Sequence, residues 1–187
     1  DDPAAVLENR RRFAEAAGFR LDDVVIAGQV HGTHVARVSA EDRGRGAYGA
    51  SSVLPAADAL ITDTAGVVLW AGFADCTPLL FVDPVRRAVG VAHAGWQGTV
   101  GDIAGATVRA LGEAFGSQPA DLLAVVGPSI GPCCYEVDEP VLGRARSCFG
   151  EQADEVLLHV PGKERLHFDL WQANALLLER AGLHHER

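Results

Sequence analysis

The feature that most constrains this chain is the spacing of its apolar residues, which come in short runs closed by Gly, Pro, Asp or His. No run approaches the roughly 18–20 residues that a bilayer crossing needs. Segments 24–26, 34–38, 59–62, 67–70, 79–82, 88–92 and 122–126 read as strands, the last of them as a buried one. Around them apolar residues recur at helical spacing. Asp2-Pro3 opens a first helix with Val6, Phe13 and Ala17 in period, and Gly18 ends it. A second helix is expected over about 101–115, with Ile103, Val108, Leu111 and Phe115 toward the core, and two more at about 139–148 and 170–181. Strands and helices follow no strict βαβ rhythm. The prediction is therefore an α+β fold, an α/β sandwich with mixed β-sheets, rather than a doubly wound one. The 187 residues suit a single domain over 1–187, with no internal repeat or linker. The Gly-, Ser-, Asp- and Arg-rich stretch 41–52 is expected to be a mobile loop.

The net charge of −9 argues against a nucleic-acid partner, which calls for a basic stripe. The densest basic cluster, Arg10-Arg11-Arg12, lies in a helical pattern with acidic neighbours and reads as a solvated face. An acidic surface still admits a phosphate-bearing substrate, because a few local donors override the global field. Neither a nucleic-acid nor a membrane partner is expected. Four cysteines show no disulfide-framework spacing, which predicts reduced thiols in a cytoplasmic protein. The chain has no Met and opens on Asp1-Asp2-Pro3, which reads as the start of a helix rather than of a protein.

Three chemically capable side chains follow apolar β segments: His31, Cys76 and His93, separated by 45 and 17 residues. Strand ends flanked by Gly are where a rigid sheet presents groups to a pocket. Two imidazoles and a thiolate form a recognised catalytic zinc set, with the fourth position open to polarise an oxygen or activate water. The spacing alone equally allows ordinary core or surface residues. It also allows Cys76 as a nucleophile with His93 as base and Asp75 as orienter. The loop 127–134 carries turn residues whose amides can cradle an anion or stiffen a pocket wall. Cys133 and Cys134 are further candidate ligands, expected instead to be packed small residues. Asp58, Asp75 and Asp169 lie among apolar neighbours and suit buried, hydrogen-bonded roles. Asp75 is expected to support a metal-bound imidazole. Strand alternation aims His34 away from His31. His159, His167, His184 and His185 sit in polar or terminal contexts and read as solvated.

Several segments occur together and in order: Gln29-Val30-His31-Gly32, Ala57-Asp58-Ala59, Ala74-Asp75-Cys76-Thr77-Pro78, Ala92-His93-Ala94-Gly95-Trp96, the run from Gly127-Pro128-Ser129 through Cys133-Cys134-Tyr135-Glu136-Val137, and Phe168-Asp169-Leu170. Together they resemble the purine nucleoside phosphorylase family formerly called multicopper polyphenol oxidase or laccase-domain proteins, also known as the peptidoglycan editing factor family. The resemblance runs from Asn9-Arg10 to Asn174. It implies an α/β sandwich with mixed sheets and zinc at His31, Cys76 and His93. It also implies phosphorolysis of adenosine, inosine and methylthioadenosine, with adenosine deamination as a further activity. On the catalytic side it points to His31, Cys76, His93 and Asp75, and on the substrate side to Gln29, Trp96, Ser129 and Arg10. Family members usually carry Arg where this chain has Gln97, and extend further at both ends, so the chain reads as a fragment. A four-copper oxidase needs many His ligands, usually in His-x-His pairs; seven histidines without that pattern argue against copper. The remaining alternatives are a metal-free Cys–His amidase acting on cell-wall precursors and a non-catalytic nucleotide-binding module. The sequence does not fix an oligomeric state.

Overall fold

A mixed five-stranded sheet organises the protein, seen in a computed structural model that describes residues 2–184. His185 falls outside the described residues. The sheet is built from β2 (Val35–Arg37), β3 (Ala59–Thr62), β5 (Thr77–Asp83), β6 (Ala88–Ala94) and β7 (Leu123–Val126), in the order β2-β3-β6-β5-β7. The β2–β3 pair is parallel and the other pairs are antiparallel. Strands β1 (Val24–Ile26) and β4 (Val68–Trp70) form a separate parallel pair. The architecture is the α+β sandwich with mixed sheets that the strand rhythm predicts.

Alternation along the strands gives the sheet two unlike faces. Ala59, Ile61, Leu79, Phe81, Ala88 and Ala92 turn to the main core, under helices α3 (Ile103–Phe115), α4 (Glu139–Phe149) and α6 (Leu170–Arg180). The opposite parity, Leu60 and Val91, packs beneath the β1–β4 layer with Val25, Ala27, Leu54 and Val67. Helix α1 (Pro3–Ala17) lies beyond that layer, capped by the Asp2 carboxylate and closed by Gly18 in a left-handed conformation. The inward line of α1 is Leu7, Arg10 and Ala14, while Val6 and Phe13 are exposed. Arg10 is thus separated from the exposed Arg11 and Arg12: its guanidinium donates to the Gly46 and Ala47 carbonyls at 3.0 and 2.9 Å.

Three expectations need correction. The 122–126 segment is not a buried strand. β7 is a sheet edge whose inward residues meet the core while Leu123 and Val125 are each 57% exposed. Together with Leu80, Val82 and Val89 they form an uncovered apolar strip, because the β1–β4 layer covers the other end of the sheet. The 41–52 stretch is tied down: a capping box closes the turn at Ser39, the Ser52 hydroxyl accepts from the Gly46 amide, and Ala47 is fully buried. His167 is buried rather than solvated, on the strand β9 (Leu166–Phe168) that pairs with β8 (Leu157–His159). This pair and the short helices α2 (Trp96–Val100) and α5 (Ala153–Val156) lack a period long enough to read from sequence. Among the described residues no helix is long and apolar enough to cross a membrane.

Candidate metal centre

The site forms where three chain segments meet at one end of β6. His93 is the next-to-last residue of that strand and shares the parity of Val89 and Val91, so its ring turns toward the β1–β4 side. The β3–β6 register sets Ala59 opposite Ala92, which brings Asp58 alongside His93. The His93 amide donates to the Asp58 carbonyl at 2.7 Å, and its Nδ1 lies 3.0 Å from Asp58 Oδ1. Both side chains are buried. With Nδ1 engaged, Nε2 is the ring nitrogen free to act as ligand.

The same carboxylate shapes the loop that carries His31. Oδ2 accepts from the Val30 and Gly32 amides at 3.2 and 2.8 Å, and Oδ1 from the His31 amide at 2.9 Å. These bonds hold His31 at φ 61, in the left-handed region where a residue with a side chain is disfavoured. Burial alone would raise the Asp58 carboxyl, but the His93 ring and the three amides outweigh it and hold it below its usual range. Asp58 therefore remains an anion aimed at an imidazole. It takes the supporting role expected of Asp75.

Cys76 immediately precedes β5, which pairs with β6, and Asp75 before it also has a left-handed backbone, φ 73. That turn is closed by the Ile130 amide donating to the Asp75 carbonyl at 3.0 Å. His31, Cys76 and His93 then present ligand atoms that all lie within 4.8 Å of one another. Among the described residues they are the one group of three or more His, Cys, Asp or Glu side chains near enough to hold an ion. The His31 and His93 rings meet edge-on with centroids 4.8 Å apart. Gly95 closes the rear of the cluster: a Cβ there would stand 2.9 Å from Cys76 Sγ and 3.0 Å from His31 Cδ2. Burial, with Asp75 and Asp58, raises the Cys76 thiol, so these surroundings do not activate a free nucleophile. Two nitrogens and a sulfur can bind a metal ion that stabilises the thiolate, with a fourth position left open.

The cluster opens on a cavity of ≈340 Å³ lined by His31, Asp75, Cys76, Trp96, Gln97, Ile130, Tyr135 and Leu170. Burial, followed by the charges of Cys76 and Asp138, pushes the Tyr135 phenol up to about 12. Of the four residues expected on the substrate side, Trp96 lines this cavity, while the other three have structural partners elsewhere. The Gln29 amide exchanges two hydrogen bonds of 2.8 Å with the Gly72 backbone. Ser129 Oγ accepts from Trp171 Nε1 at 2.7 Å and lies 2.9 Å from Thr77 Oγ1. Arg10 holds the Gly46–Ala47 turn. In the 127–134 loop the Gly127, Ile130 and Cys134 amides are engaged by backbone carbonyls, and Ile130 lines the cavity. Cys133 and Cys134 are exposed, not packed, and lie outside the ligand cluster. His34 is exposed and also outside it, and Asp169 caps α6 through the Trp171 and Gln172 amides.

Fold and site together define a mixed-sheet α+β protein with a three-ligand His–Cys–His centre open to a cavity. The chain belongs to the multi-copper polyphenol oxidoreductase laccase family, whose model matches residues 1–187. It is 42% identical over 184 residues to "Purine nucleoside phosphorylase YlmD" of Geobacillus stearothermophilus, covering 98% of this chain and 66% of that protein. The chain thus spans just under two thirds of that relative's length. It is 35% identical over 184 residues to "Adenosine deaminase RL5" of an unknown prokaryotic organism, covering 98% of this chain and 69% of that protein. The crystal structure of YlmD from Geobacillus stearothermophilus superposes with a TM-score of 0.93 at 40% identity, covering 99% of this chain and 68% of that one.

Proposed function

We propose that this chain carries the active site of a zinc-dependent purine nucleoside phosphorylase acting on adenosine, inosine and methylthioadenosine. The observation that supports it most is the His31–Cys76–His93 cluster, with Asp58 behind His93, at the base of the ≈340 Å³ cavity. Relatives at 42% and 39% identity bear the name purine nucleoside phosphorylase. A borderline-soft thiolate with two imidazoles suits zinc, and the seven histidines of the chain are too few for a four-copper centre. Zinc, when bound, supplies Lewis-acid polarisation at the open position.

The protein residues then divide the remaining tasks. Trp96 offers an aromatic face for the purine. Asp75, an exposed carboxylate in the cavity wall, takes or returns the proton of the attacking or leaving group. Tyr135 keeps its proton at neutral pH and so donates a hydrogen bond to substrate oxygen or nitrogen. Gln97 provides a neutral amide contact where an Arg would bring a charge. Deamination of adenosine is the second reaction of the same site, favoured by the relative named adenosine deaminase.

The test is metal content together with release of ribose 1-phosphate from adenosine and inosine, of 5-methylthioribose 1-phosphate from methylthioadenosine, and of ammonia from adenosine, for wild type and Cys76→Ala. Zinc at about one per chain and phosphate-dependent ribose 1-phosphate release, both lost in Cys76→Ala, are expected. Ammonia without ribose 1-phosphate would replace phosphorolysis by deamination. Absence of zinc and of both products would refute the proposal.

A further inference from the structure

A second pair of sulfur atoms stands outside the metal cluster. Cys133 and Cys134 are adjacent and exposed, and their Sγ atoms lie 3.3 Å apart, whereas Cys76 and Cys148 are half-buried and apart from them. In an extended chain neighbouring side chains point to opposite faces. Here a turn brings them to one side: the Cys134 and Tyr135 amides both donate to the Gly131 carbonyl, at 3.0 and 3.1 Å. The turn is clamped from β9. Buried His167 meets the Pro132 carbonyl through Nδ1 at 2.7 Å, and the Phe168 amide donates to the Tyr135 carbonyl at 2.9 Å. Backbone bonds on both sides of the pair therefore set the sulfur–sulfur approach. The same loop presents Ile130 and Tyr135 to the metal cavity, while Cys133 and Cys134 between them are exposed and do not line it.

We propose that Cys133 and Cys134 form a redox-active vicinal dithiol, converted reversibly by low-molecular-weight disulfides into an intrachain disulfide. The Cys133 thiolate attacks one sulfur of the small disulfide, whose S–S bond breaks. The first small thiol leaves with the proton that Cys133 gave up. Cys134 then attacks the Cys133 sulfur, forming the bond between the two residues and breaking the mixed disulfide. The second small thiol leaves with the Cys134 proton. The protein loses two electrons and two protons, and the small disulfide is reduced to two thiols. The contact with Cys133 raises the Cys134 thiol above its ordinary value, which favours Cys133 as the first to attack.

Closing the bond brings the sulfurs together by about 1.3 Å from their present separation. Adjacent Cα atoms stand about 3.8 Å apart, short of the span of about 4.4–6.8 Å usual for a bridge. The closed form is therefore strained and reopens in excess thiol, as suits a reversible site.

The test exposes the reduced chain, freed of reductant, to oxidised glutathione and follows it by intact mass and peptide mapping. Wild type is expected to lose two hydrogens, with the bridge mapping to Cys133–Cys134, and to return to the dithiol in excess reduced glutathione. Cys134→Ser is expected to stop at a glutathione adduct on Cys133, and Cys148→Ser to behave as wild type. As an independent measure on the unoxidised protein, phenylarsine oxide is expected to bind the wild type at a vicinal pair and to lose that binding in Cys133→Ser or Cys134→Ser. Wild type that accumulates the glutathione adduct without closing, a bridge mapping to Cys76 or Cys148, or arsenical binding unchanged in the serine variants would overturn the proposal.

Discussion

Replacing Asp58 by Asn is the perturbation most informative about the metal centre, because this one carboxylate serves two ligands at once. It accepts the Val30, His31 and Gly32 amides at 2.8–3.2 Å and meets His93 Nδ1 at 3.0 Å. Asparagine has nearly the same shape but keeps a single acceptor oxygen, and its NH₂ must face donors. His93 loses the anion that orients its ring, and the loop holding His31 at φ 61 loses bonds that offset the backbone strain. Loss of such an outer carboxylate lowers metal affinity by about 10- to 100-fold, or about 1.4–2.7 kcal/mol. Amide donors left unpaired in this partly buried loop add a stability loss of about 1–3 kcal/mol. Zinc affinity is read by competition with a chromophoric chelator, and stability by urea unfolding with and without zinc. Asp169→Ala is the control: it removes the α6 cap at a cost of about 1 kcal/mol and leaves zinc affinity unchanged. Wild-type zinc affinity in Asp58→Asn would refute the assignment of Asp58 as the residue that positions His93 and His31.

Gly95→Ala places a Cβ 2.9 Å from Cys76 Sγ and is expected to lower zinc affinity at least about tenfold, whereas Gly143→Ala, open to space within α4, is expected to keep it and gain up to about 1 kcal/mol in urea unfolding. Equal zinc affinity in the two variants would contradict the tight rear wall of the site. Leu79→Ala in the main core is expected to cost about 2–5 kcal/mol, and Leu123→Asn on the exposed β7 edge within about 0.5 kcal/mol, by urea unfolding. Tyr135 ionises near 10 when unfolded but only at about 12 in the folded chain. The folded state thus binds the proton more tightly, so the Tyr135 contribution is intact below about pH 10 and is lost as pH rises from there to about 12. Tyr135→Phe is expected to remove that part of the alkaline slope in urea midpoints measured at about pH 9 and about pH 11. An unchanged slope would show that the phenol is not held protonated by its surroundings.

Much of the fold class was legible because strand and helix periods are local properties. The short apolar runs at 59–62 and 88–92 located β3 and β6, and the cap and Gly at the ends of 3–17 located α1. Periodicity could not tell a buried strand from an edge strand. The apolar run at 122–126 contains residues that face the core and residues that face outward, and the outward ones are exposed because no layer reaches them. The β8–β9 pair is too short to leave a periodic signal, and burial of His167 follows from that pairing.

By itself the sequence determined an acidic α+β chain with His31, Cys76 and His93 as its candidate ligands, because residue identity decides which atoms can coordinate a metal. Tertiary structure alone decided that the three meet within 4.8 Å across separations of 45 and 17 residues. It also assigned the supporting carboxylate to Asp58, distant in sequence from His93, rather than to Asp75, which adjoins Cys76. The physical reason is register: pairing Ala59 with Ala92 sets Asp58 beside His93, and a shift of one residue would turn the side chains to opposite faces. Asp58 then binds the amides of residues 30–32 and carries His31 to the same point. Such pairings are long-range contacts, and no local pattern in the chain encodes them.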